Sequence, residues 1–164
     1  MISAYAQGNG NGNGNGNGNG NIPTEHNEAT IGQLQAEMAS GKTSSVHLTR
    51  EYIARIQALD QSGPNVNSVI ELNPDARRWP STRINCESTA KCSALLHGIP
   101  VLFKDNIDTG DQMQTSAGSF ALVGTPAQQD STVAANLRAG GAVILGKTNL
   151  SKWANFRSFE SISG

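Results

Sequence analysis

The sequence predicts an α/β fold from three observations: a pair of amphipathic helices near its start, two short apolar runs without polar alternation, and a capped helix between those runs. Unbroken apolar strands suit a parallel sheet covered on both faces, and a strand–helix–strand order is the usual way to join parallel strands. Each element can be justified in chain order.

From Gly8 to Asn21 glycine and asparagine alternate strictly. Such a tract has no apolar side chain to bury against its ordering entropy, so residues 1–29 are expected to be a disordered N-terminus with a Gly/Asn linker. Folding is expected from Thr30, and residues 30–164 form one unit. Thr30-Ile-Gly-Gln33 reads as a capping box, with Ile31, Leu34 and Met38 on one helical face and Gly41 as the stop. A second helix starts near Ser44 or Ser45 and carries Leu48, Tyr52, Ile53, Ile56 and Leu59, ending at Gly63-Pro64. The two helices make a hairpin. A strand is predicted over Val66 to Leu72 and another over Ile99 to Phe103. Asp130 or Ser131 caps a helix bearing Val133, Ala134 and Leu137, which Gly140-Gly141 closes before a third strand over Ala142 to Leu145.

The stretch "GAVILGKT", Gly141 to Thr148, fits the phosphate-loop pattern G-x-x-x-x-G-K-[ST]. Its context is inverted. A phosphate loop follows a strand and forms an irregular turn whose N–H groups point at phosphate. Here the first glycine ends a helix, and Ala-Val-Ile-Leu are apolar strand formers. The stretch reads as a buried strand, with Lys147 as a surface lysine at its end.

A net charge of −1 provides no electrostatic footprint for nucleic acid or an anionic membrane, and no apolar run is long enough to span a bilayer. Cys86 and Cys92, separated by five residues, match neither zinc-ligand nor redox spacing. Ala4-Tyr5-Ala6 resembles the end of a signal peptide without the charged start and apolar centre. The protein is exported if that match is real, and cytoplasmic otherwise.

Lys104 is the charged residue best placed for chemistry, because open α/β sheets tend to hold their sites at the carboxyl ends of strands. Burial there would disfavour the ammonium form and make the amine a base. Neutrality near pH 7 needs a shift of about 3 units, or about 4 kcal/mol. The alternative is a lysine that leaves the sheet for solvent and pairs with Asp105. His26 falls in the linker, His47 lies away from its helix's apolar stripe, and His97 reads as structural. Asp105, Asp108 and Asp111 lack the glycine and glutamate of a calcium hand and read as a solvated loop.

The segment "GIPVLFKDN", with "TSAGSFALVG" and "GGAVILGKTNLSKWANF" after it and "TIGQLQAEMASGKTSSVHLTREYIARIQALD" before it, resembles the front of the amidase signature family. The match covers nearly all of Thr30 to Phe156. The resemblance implies an α/β/α fold around a mixed sheet, present here only in part. It also implies hydrolysis of carboxylic amides, small-molecule amide substrates, and no metal or organic cofactor. The family's triad is serine, cis-serine and lysine, and Lys104 matches the lysine. There the neutral amine draws a proton through the cis-serine from the nucleophile, and backbone N–H donors hold the developing oxyanion. The family's glycine- and serine-rich segment and its later Gly-Gly-Ser nucleophile have no match in these 164 residues. Ser116, Ser119, Ser161 and Ser163 read as ordinary loop serines, so the chain as given is expected to be inactive. The family includes free amidases and subunits of aminoacyl-tRNA amidotransferases.

The resemblance vanishes over residues 76–94, "ARRWPSTRINCESTAKCSA", where the family has an alanine-rich helix. One permitted back-translation of Ala76–Ser93, read after dropping two bases, gives AAMAVDADQLREHGKVQ. That string is rich in helix formers. Compensating insertions or deletions bounding this segment would explain the break. The alternative to an amide hydrolase is therefore a non-catalytic product of a damaged gene, acting at most as a binding module.

Overall fold

In the computed structural model the described residues are 22–78, 95–151 and 154. The Gly/Asn tract, Ala4-Tyr5-Ala6, both cysteines, Ser161, Ser163 and all of the anomalous segment beyond Arg78 lie outside them.

Helix α1, Ile31–Ala39, begins with the expected capping box: the Thr30 hydroxyl accepts from the Gln33 amide and the Gln33 side chain accepts from the Thr30 amide. Leu34 is buried and Met38 packs beside it, whereas Ile31 is exposed. Helix α2, Ser45–Arg55, is capped by Ser44 and runs on into one wider turn, Ile56–Asp60. Strand β1 is Val69–Leu72, shorter than expected at its start. Strand β2 is Pro100–Lys104. Ser131, not Asp130, caps helix α3, Thr132–Ala139. Strand β3, Val143–Thr148, runs three residues past the expected end.

The strands form one mixed sheet in the order β1-β3-β2, with β3 antiparallel to β1 and parallel to β2. Helix α3 supplies the connection between the parallel pair. Strand β3 is in the middle, which is why its apolar run is unbroken. Val143 and Leu145 pack with Ile53, Tyr52 and Leu72 on the hairpin side. Ile144 packs with Phe103, Met113 and Ala134 on the α3 side. Leu34, Leu48 and Ile99 complete the layer between the hairpin and the start of β2. Burying each of these large side chains is worth about 1.5–3 kcal/mol.

Both neighbours of β3 shift register. Along β2, Val101 pairs with Ile144 but Leu102 pairs with Gly146, so Leu145 is the extra residue of a bulge. Along β1 the shift falls between Val69 and Glu71. The β2 bulge reverses the faces of everything that follows it on β3.

Candidate active site

Lys104 is the last residue of β2 and pairs with Thr148. Phe103 before it faces α3, so Lys104 faces the other way, and its side chain is exposed. It opens into a cleft of about 530 Å3 lined by Val66, Asn67, Ser68, Lys104, Asn149, Leu150 and Ser151. The expected position at the carboxyl end of a strand is observed. The exposure of Lys104 is that of the alternative, a lysine that leaves the sheet for solvent.

The cleft wall is built locally. Asn65 and Asn67 adopt positive φ, which asparagine tolerates better than most residues, and turn the chain into β1. Asp60 closes that turn. Its carboxylate accepts from the Ser68 amide at 2.7 Å, the Ser68 hydroxyl, and the Val69 amide at 2.9 Å. Burial alone would raise the Asp60 carboxyl, but these donors outweigh it and hold its pKa below the ordinary value. The Ser68 hydroxyl is thus committed to Asp60. On the opposite wall the Asn149 amide donates to the Ser68 carbonyl at 2.7 Å, and the Asn149 side chain to that of Asn67 at 3.3 Å.

The sequence reading placed Lys147 on the surface. It is instead fully buried, at 0% exposure. The bulge at Leu145 is the reason: it puts Lys147 in register with Phe103, on the α3 side of the sheet. The Lys147 ammonium donates to the Ile107 carbonyl at 2.7 Å and to the Thr115 hydroxyl at 3.0 Å. Burial pushes its pKa below the ordinary lysine value, against the pull of Asp105, Asp111, Glu71 and Asp108.

The acidic loop also differs from the expected solvated one. Asp105 is 0% exposed and accepts from the Ser116 amide at 3.2 Å and the Ser116 hydroxyl at 2.5 Å, while its Oδ1 has no hydrogen-bond partner. Asp111 binds Arg138 and accepts from Thr109 and the Met113 amide. Only Asp108 is exposed. Burial raises the pKa of Glu71, which accepts from the Gln114 amide at 2.7 Å.

Among the histidines, His47 is exposed, and His97 packs against Gly141. His26, expected in the linker, is buried between the two helices, with Nδ1 2.5 Å from Glu51 and Nε2 3.0 Å from Glu37. Ser116 serves Asp105, and Ser119 is a nearly buried loop residue, as read from the sequence. Among the described residues no three His, Cys, Asp or Glu side chains converge to hold a metal ion. No helix there is long and apolar enough to cross a membrane.

A mixed sheet between helices, with a lysine at the mouth of a strand-end cleft, defines an α/β protein. The family model for amidases matches residues 47–163, and the chain belongs to that family. A probable amidase of Arabidopsis thaliana is 41% identical over 140 residues, which cover 84% of this chain and 27% of that protein. The A subunit of the glutamyl-tRNA(Gln) amidotransferase of Rhodospirillum rubrum is 36% identical over 80% of this chain and 25% of its own. Among solved structures, the native peptide amidase of Stenotrophomonas maltophilia superposes with a TM-score of 0.74. The identity there is 45% over 87% of this chain and 29% of that one. The chain spans about a quarter of the length of the relatives it matches.

Proposed function

We propose that this chain is the lysine-bearing part of an amide hydrolase, with Lys104 as the base. The observation that carries the reading is the position of Lys104, at the carboxyl end of β2 and open to a cleft, in a chain of the amidase family. In the reaction the amine takes a proton, through an intervening serine, from a nucleophilic serine that attacks the amide carbonyl. The tetrahedral intermediate collapses to an acyl-enzyme as the amine leaves, and water then releases the acid. An exposed lysine does not perform this step unaided. Neither serine motif has a match within residues 1–164, so these residues alone are expected to give no turnover. Amidated peptides are the first substrates to try, because a peptide amidase is among the similar structures.

The test is ammonia release from C-terminally amidated peptides by a chimaera that joins residues 1–164 to the remaining three-quarters of a peptide amidase. Lys104→Met should lower kcat by about 10³-fold or more, as losing one member of an interdependent catalytic set does. A Lys104→Met chimaera that keeps wild-type turnover would overturn the assignment. A second reading, a binding fragment without catalysis, is favoured by the unmatched serines, and a chimaera with no turnover at all supports it. We propose further that residues 76–94 are read in a shifted frame. Export rests on Ala4-Tyr5-Ala6, and N-terminal sequencing of the mature protein decides it.

A further inference from the structure

The lysine of the GKT motif has no role in the reading above, yet it is the largest side chain in the structure that is wholly buried. Nothing in the packing of an α/β core needs an ammonium, and hiding one is costly unless it is bonded. Its bonds all go to one place. Lys147 sits on the central strand, and its Nζ reaches two carbonyl or hydroxyl oxygens at opposite ends of the 105–116 loop, Ile107 O and Thr115 Oγ1.

That loop begins at the residue after Lys104. Its other ties run to the same strand end: the Asp105 amide donates to Thr148 O at 3.1 Å, and the Ile107 amide to Lys104 O at 3.0 Å. Asp105 then gathers the far end of the loop through Ser116 and, by its own carbonyl, the Ala117 amide. The unpartnered Asp105 Oδ1 is buried within the field of the Lys147 cation. A single ammonium thus fastens both ends of the loop to β3, one register step from Lys104 and on the opposite face.

We infer that Lys147 is a positioning residue for Lys104: by fastening the 105–116 loop to β3 it fixes the end of β2, and so the direction in which Lys104 enters the cleft. This rests on the amide-hydrolase reading for its purpose, but its geometry can be tested without any substrate.

Amide hydrogen exchange on the 164-residue chain supplies the test. Lys147→Met should speed exchange at Asp105, Ile107, Ser116 and Ala117 at least 10-fold, while Leu34 and Leu48 on the helices keep wild-type rates. Thr115→Val, which removes one acceptor at nearly constant volume, should give the same local pattern at smaller amplitude. Thr115→Ser, which keeps the hydroxyl, should restore it. If Lys147→Met does not fold, the Thr115 pair decides. Equal acceleration throughout the chain would reduce Lys147 to a general core residue and overturn the inference, as would unchanged exchange in the loop. Because no turnover is measured, a failed hydrolysis assay leaves this result standing, and a failed exchange test leaves Lys104 as the candidate base.

Discussion

A methyl group at position 146 would lie 2.2 Å from the Glu71 carbonyl oxygen, closer than any real contact of that kind. Gly146 is in register with both Leu72 and Leu102, directly after the bulge opposite β2 and one residue before the slip opposite β1. Glycine is required there by close backbone approach. Gly146→Ala is expected to cost about 1–3 kcal/mol, typical of overpacking, and to lower the urea midpoint without changing its slope. An unchanged midpoint would mean that the strands part at this contact without cost. The same bulge marks the limit of what residue order can reveal about Lys104 and Lys147. Both lysines end apolar runs, and nothing local distinguishes them. Simple alternation along β3 would place Lys147 with Val143 and Leu145. One extra residue on β3 reverses that parity and buries it on the other side, while Lys104 is left at the open cleft.

The N-terminal helices were legible for the opposite reason: their signals are local. The caps at Thr30, Ser44 and Ser131 each bond an amide three residues on. His26 had no such signal, because its partners lie 11 and 25 residues away on different helices. The turn holding His26 is clasped from both sides. Tyr52 donates to its carbonyl at 3.2 Å, and Arg55 donates to Asn27 at 2.8 Å. Burial works against the imidazolium, but Glu51, Glu37 and Glu25 outweigh it and raise the pKa of His26 above 6.5. Lys42 lies 2.6 Å from Glu37, and the His47 ring stands edge-on to that of His26. A raised folded pKa means that the stabilisation is fully present below pH 6.5 and is lost as pH rises through the elevated value. Wild-type melting temperature should therefore fall on that alkaline limb. His26→Gln, uncharged throughout, should be about 2–3 kcal/mol less stable at pH 6 and should lose the limb. Melts that track wild type at every pH from 5.5 to 9 would show that the clasp contributes nothing.

Three strands covered on both faces make a small core, and its hairpin side ends at Ala76. That residue is 1% exposed against Ile53, Val143 and Leu145, and it is the first of the anomalous segment. The residues written after it, Arg77-Arg78-Trp79-Pro80, cannot continue an apolar helical face, because two charges and a proline follow at once. The shifted reading is rich in helix formers and places Ala, Val and Leu at helical spacing, on a string with neither proline nor β-branched clusters. If that helix belongs to the fold, replacing Ala76–Ser93 with AAMAVDADQLREHGKVQ should add two or three buried side chains to the Ile53 layer. Each such burial is worth about 1.5–3 kcal/mol, so the restored chain is expected to be the more stable of the two. In a chain of this size each kcal/mol of net gain raises the melting temperature by roughly 2–4 °C. The wild-type and frame-restored chains should be compared by thermal melts at matched concentration, with Ala76→Asp in each. In the restored chain Ala76→Asp should erase most of the gain, since it puts a carboxylate where the new helix meets the core. A restored chain no more stable than the written one would remove the structural reason for a frame shift and leave residues 76–94 as a true divergence from the family.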